Sequence, residues 1–140
     1  MNLTFRCKHI PIADGIVSKE PIIPVTLIGK NGVKLNFNAV LDSGSDFILL
    51  PVEVAEALNL KFDKSNPEKA KVYTGETITT SFSTVSVKIK KGREQVTAQC
   101  KCAIQLDKKR QHENIIFGSS FFEHFKIIFD YKKNKFQIKK

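Results

Sequence analysis

The chain has 140 residues, 41% of them hydrophobic, with Lys and Arg totalling 23 against 14 acids for a formal charge of +9. That length supports one ordinary core, so a single compact domain over residues 1–140 is expected. No apolar run approaches the roughly 18 residues of a membrane-spanning helix, which argues against a membrane partner. The opening Met1-Asn2-Leu3-Thr4-Phe5-Arg6-Cys7-Lys8 lacks the apolar core of a signal peptide, and the three cysteines are an odd count. Both features suit a reducing, cytoplasmic setting. The lysines are scattered rather than interleaved with aromatics, so the charge reads as a solvated coat and not as a nucleic-acid surface.

Most segments alternate apolar and polar residues with the period of half-buried strands. Ile22 to Ile28 reads as one strand, and Asn31-Gly32 within Gly29-Lys30-Asn31-Gly32 is a hairpin turn signal. Val33 to Leu41 returns as its partner. After the apolar Phe47-Ile48-Leu49-Leu50, Pro51 stands where a first helical residue tolerates a missing N–H. A short helix over Val52–Leu58 then closes near Asn59. Phe62 to Lys71 is polar and loop-like. Residues 72–82 suggest a hairpin with Gly75 near its tip, running on into a strand over Ser81 to Lys90. Lys91-Gly92 turns the chain into Gln95 to Ile104. A charged loop, Asp107 to Asn114, precedes Ile115-Ile116-Phe117-Gly118. Ser120-Phe121-Phe122-Glu123 has the letters of a capping box opening a brief helix. Lys126 to Lys140 forms two strands turning at Lys133-Asn134. Many strands with one or two short helices predict an all-β, closed-barrel domain.

The segment that carries chemistry is Ala39-Val40-Leu41-Asp42-Ser43-Gly44-Ser45. Asp42 follows three apolar residues, so its carboxylate leaves the end of a buried strand. Gly44 lets the chain turn behind it, and the Ser43 hydroxyl is placed to hydrogen-bond within that turn. Three residues alone would be an ordinary turn. The order around them is more informative: strand, Asp-Ser-Gly-Ser, apolar strand, short helix, glycine-bearing hairpin, long strands, then an apolar-apolar-glycine segment leading into a helix.

In this order, and in the two anchors Asp42-Ser43-Gly44-Ser45 and Ile115-Ile116-Phe117-Gly118, the chain resembles the retropepsin-like aspartic proteases from about Pro21 to Gln137. The resemblance implies that Asp42 is the catalytic aspartate of an aspartic endopeptidase acting on peptide or protein substrates. It implies that Ser43 and Gly44 interlock two active-site loops and approach the substrate backbone, with Ser45 completing the loop. Tyr73, Thr74 and Gly75 fall where the family has a flap over the bound peptide. Ile116 and Gly118 fall in the segment packed behind the active-site loop. The strands of residues 126–140 match those that build a dimer interface in many members. One position departs: an arginine often follows the glycine matched by Gly118, paired with an acid just beyond the triplet. Here the acid is present as Asp46, but Ser119 stands in the arginine's place, leaving Arg6 or Arg110 as candidate partners.

The mechanism the resemblance implies needs two carboxylates sharing one proton. Only one Asp-Ser/Thr-Gly triplet occurs, so the second must come from another copy of the chain, and the expected partner is a homodimer. No metal and no organic cofactor is required. A Ser45 hydroxyl donating to its neighbouring carboxylate would favour the charged form. A zinc site from Cys7, His9, Cys100 and Cys102 is the rival metal reading, although their spacing is not that of a zinc knuckle. The other alternative keeps the fold and drops the chemistry, as an inactive dimerisation or peptide-binding module.

Overall fold

A computed structural model describes residues 2–71, 77–107 and 115–140. Twelve strands occur among them: β1 (Asn2–Arg6), β2 (Lys8–Ala13), β3 (Ile16–Glu20), β4 (Ile22–Ile28), β5 (Lys34–Leu41), β6 (Ile48–Pro51), β7 (Glu68–Lys71), β8 (Thr77–Lys91), β9 (Glu94–Gln105), β10 (Ile115–Phe117), β11 (Lys126–Asp130) and β12 (Lys135–Lys139). Two short α-helices, α1 (Val52–Ala57) and α2 (Ser119–Phe122), and two single-turn 3-10 helices, Lys30–Gly32 and Tyr131–Lys133, complete the regular structure described.

The main sheet runs β4-β5-β10-β6-β9-β8-β7, and β4 also pairs with β8 through Thr26–Ile28 and Ser86–Lys88. That additional pairing closes six strands into a barrel and leaves β7 attached to the far stretch of β8. Barrel closure removes sheet edges that would otherwise template aggregation. The expected all-β closed barrel is what forms. Alternation sends Ile23, Val25 and Leu27 of β4, Val85, Val87 and Ile89 of β8, and Cys100, Cys102 and Ile104 of β9 into one core.

The local signals act as their chemistry dictates. Asn31 (φ 59°) and Gly32 (φ 75°) both take left-handed conformations in the tight turn joining β4 to β5. Asn59 (φ 54°) ends α1, and Gly92 (φ 62°) turns β8 into β9. Pro51 is the residue before α1 rather than its first turn.

Four expectations change. Residues Glu68–Lys71, read as loop, pair antiparallel with Thr77–Thr80 of β8, because an edge strand needs only its backbone. The capping box is not used: Gly118 caps α2 without a side-chain hydrogen bond. The terminal strands, whose alternation reads from sequence as an apolar edge left exposed in the single chain, are such an edge only in β11, where Phe129 is exposed. β12 lies between β1 and β11, and its Phe136 and Ile138 are fully buried in this chain's own core beside Leu3 and Phe5. The segment before Pro21, assigned no element from sequence, forms β1 and the β2–β3 hairpin, which turns at Gly15 (φ 69°).

Candidate active site

Strand β5 ends at Leu41 and β6 begins at Ile48, so residues 42–47 must leave the barrel and return. What fixes this loop is β10, inserted parallel to β5 and antiparallel to β6. The Asp42 N–H donates to the Phe117 carbonyl at 2.9 Å, extending the parallel ladder one step past the strand. The Ser45 N–H donates to the Asp42 carbonyl at 3.1 Å, and the Gly44 N–H donates to the Asp42 Oδ1 at 2.9 Å. One carboxylate oxygen is therefore oriented by the loop's own backbone, and the side chain stays exposed in the single chain.

Gly44 is not in the left-handed region; its lack of a side chain serves proximity instead. A Cβ there would lie 3.2 Å from the Asp42 Oδ1, tight against the oxygen that its N–H holds. Gly118 is more constrained. A Cβ on it would overlap the Ser45 carbonyl and stand 2.8 Å from the Phe47 carbonyl oxygen. The two segments thus touch backbone to backbone. The Ser119 N–H donates to the Ser45 carbonyl at 2.8 Å, its hydroxyl reaches the same oxygen at 3.3 Å, and the Ser120 N–H donates to the Asp46 carbonyl at 3.0 Å.

Ser120 is a functional support that sequence reading misassigned. Its buried hydroxyl donates to the Lys101 carbonyl at 2.7 Å and accepts from the Ile48 N–H at 3.0 Å, joining α2, β9 and β6 directly under the loop. A serine directly before the apolar pair Phe121-Phe122 was the available signal. Ser45 does not donate to a carboxylate; its hydroxyl goes to the Phe47 carbonyl at 3.1 Å, stiffening the loop's exit. The Ser43 side chain is exposed and has no hydrogen-bond partner among the described residues, so the bond expected within the turn is not made.

The segment expected behind the loop divides between two faces. Phe117 points into the core and is fully buried, packing against Phe121 with ring centroids 4.9 Å apart. Ile116 is half-buried on the opposite face, in register with the half-buried Val40 and Leu49. Val40 precedes Asp42 by two residues, so strand alternation puts this apolar row on the carboxylate's side. Phe47 and the exposed Phe82 pack against each other nearby at 5.1 Å. Tyr73, Thr74 and Gly75 lie outside the described residues, as does Arg110; the arms that lead to the expected flap, β7 and the start of β8, are paired. Asp46 is exposed and forms no ion pair among the described residues, Arg6 included.

The cysteines sit apart from this chemistry. All three are free and buried, while His9 is exposed. Burial pushes the Cys100 thiol up to about 12, with Glu123 adding to the rise, and burial likewise pushes Cys102 up to about 12. No three metal-capable side chains converge among the described residues. None of the helices described is long and apolar enough to cross a membrane.

A family model described as aspartyl protease matches residues 23–121, well over half of the chain. No curated protein matches by sequence. Among solved structures, the chain is similar to a retropepsin-like aspartic protease from Rickettsia conorii. That match has 20% identity and a TM-score of 0.57, and it covers 99% of this chain and 90% of that one. EIAV protease complexed with the inhibitor HBY-793 aligns at 17% identity and TM-score 0.45, over 76% of this chain and 88% of that one. With the closed barrel and a loop bearing Asp-Ser-Gly pinned by an apolar-apolar-glycine segment, the chain belongs to the aspartyl protease family and has the retropepsin-like fold.

Proposed function

We propose that residues 1–140 act as one protease domain, a homodimeric aspartic endopeptidase in which Asp42 of each copy supplies half of a catalytic pair. The observation that carries this reading is the Asp42 carboxylate itself: exposed at the end of a buried strand, oriented by the Gly44 N–H, on a loop locked from behind at Phe117, Gly118 and Ser119. Rigid backbone positioning is what a general base requires, since misplacement of an ångström costs rate steeply. An Asx-type turn alone would account for the Gly44 N–H contact, but not for the backbone lock behind the loop at Phe117, Gly118 and Ser119.

Two such carboxylates a few ångströms apart hold one proton between them, because ionising both is costly. The ionised member takes a proton from a water lying between them, and the resulting hydroxide attacks the scissile carbonyl carbon. The protonated member donates to the carbonyl oxygen, giving a neutral gem-diol. The carboxyl that took the water's proton then gives it to the amide nitrogen while its ionised partner removes a proton from the gem-diol. The C–N bond thus breaks to an acid and an amine, and the pair again holds one proton. Ser43, whose hydroxyl has no partner among the described residues of its own chain, and Gly44 are the proposed contacts with the other copy's loop. Tyr73, Thr74 and Gly75 are the proposed covering hairpin. Val40, Ile116, Phe47 and Phe82 favour apolar substrate side chains beside the cut bond. No metal or organic cofactor enters this chemistry.

The test is digestion of a random peptide library by the wild type and by Asp42→Asn. The expected result is cleavage by the wild type, blocked by a statine inhibitor and insensitive to EDTA, with none by the variant at unchanged fold. Cleavage surviving in Asp42→Asn, with contaminating protease excluded, removes Asp42 from the mechanism. A folded wild type that binds peptides without cutting them makes the domain a binding module instead.

A further inference from the structure

Among the described residues, the hairpin formed by β2 and β3 shares no ladder with the barrel and carries exposed large hydrophobic residues. Its two strands pair with each other alone, as a separate two-stranded sheet. Such a hairpin is marginal in water unless another surface covers it. Neither of its faces is buried on the barrel: Ile12, Ile16 and Val17 are 65%, 54% and 53% exposed. Apolar side chains stand on both faces, with Val17 opposite Pro11 and Ile16 opposite Ala13.

Position says what meets it. Strand β3 runs through Pro21 directly into β4, and the Leu41 N–H donates to the Pro21 carbonyl at 3.0 Å. Ile22 is in register with Val40, so the hairpin leaves the barrel beyond the end of β5, at the level of Asp42. In a dimer whose two Asp42 carboxylates meet, the twofold axis passes beside that level. Strands of this length reach roughly 20 Å, enough to carry the hairpin tip across the axis.

The area needed also points there. A stable dimer buries about 800 Å² on each copy, and the apolar side chains of β1 and β12 are already spent in this chain's own core. Six large hydrophobic residues are exposed among those described. Three are on the hairpin, and Tyr131 adjoins its base, where the Lys19 ammonium donates to the Tyr131 carbonyl at 3.2 Å. Tyr131 in turn packs against exposed Phe129 at 5.9 Å.

We propose that the β2–β3 hairpin is an arm that seats Ile12, Ile16 and Val17 on a second copy of this chain, continuing the interface begun at the Asp42 loops. The inference rests on the homodimer reading above.

Sedimentation of the full chain across a concentration series tests both and separates them. The wild type is expected to dimerise, and Ile12→Ser/Ile16→Ser/Val17→Ser to raise the dissociation constant at least tenfold at an unchanged melting temperature of the monomer. Ile12→Lys and Ile16→Lys, made singly, give the same answer should the triple variant fold poorly. Hydrogen exchange over residues 8–20 should slow as the wild type dimerises. A wild-type dimer that these variants do not weaken overturns the arm and leaves the dimer standing. A wild type that is active yet monomeric throughout overturns both. Exchange that slows only when a peptide inhibitor is added, at constant dimer content, overturns the arm by placing the hairpin over substrate.

Discussion

Gly118 shows how much of the site depends on the absence of one carbon atom. Its neighbours are backbone atoms of Ser45 and Phe47, which cannot swing aside as a flexible side chain would. Gly118→Ala is therefore expected to cost at least about 3 kcal/mol, at or above the usual range for overpacking, readable as a lowered denaturant midpoint. Cys100 and Cys102 make a second statement at this scale. Their thiols, kept neutral by burial, ionise more readily in the unfolded chain than in the fold. Between the ordinary thiol value of 9 and about 12, the folded state holds more protons, so stability falls as pH rises. Below pH 9 both states are protonated and nothing is lost. Each thiol should cost roughly 1.4 kcal/mol per pH unit within that window. Cys100→Ala/Cys102→Ala should show a shallower alkaline loss of melting temperature than the wild type, compared at each pH.

At the scale of elements, α2, β6 and β9 meet through one hydroxyl. Ser120→Ala leaves the Ile48 N–H and the Lys101 carbonyl without that partner, at a cost of about 1–3 kcal/mol. Because Ile48 begins the strand that follows the Asp42 loop, catalytic rate is expected to fall as well. Urea unfolding and peptide turnover on the same preparation check both. The same serine marks where letters mislead: it satisfies a capping-box pattern, yet tertiary contacts claim its hydroxyl. What was legible was local. Asn31-Gly32 specified the β4–β5 turn, Lys91-Gly92 the β8–β9 turn, and Asp42-Ser43-Gly44 the loop, because each depends on its own residues. What was not legible depends on partners. Glu68–Lys71 becomes a strand only because β8 offers it a backbone edge, and the Ser45 hydroxyl chooses a carbonyl two residues on over a carboxylate. The β2–β3 hairpin has no inward face, so no alternation of burial announces it.

For the whole molecule, one chain carries one exposed Asp42 and its proposed chemistry needs two. Specific activity is expected to fall on dilution below the dimer dissociation constant. Re-equilibration with excess Asp42→Asn protein should poison the wild type by forming mixed dimers, each with a single aspartate. Undiminished specific activity in a demonstrated monomer would sink the shared-pair mechanism. The insertion of β10 between β5 and β6 carries a last consequence, one of timing. The bonds that fix the Asp42 loop join Ile48 to Ser120 and Ser45 to Ser119, partners 72 and 74 residues apart. Closing such long loops is slow compared with forming a local hairpin. On the ribosome, Asp42 emerges well before the residues that hold it, so during synthesis the growing chain carries its carboxylate unaimed. On the proposed mechanism, the loop is ready to pair with a second copy only after residue 120 has cleared the exit tunnel.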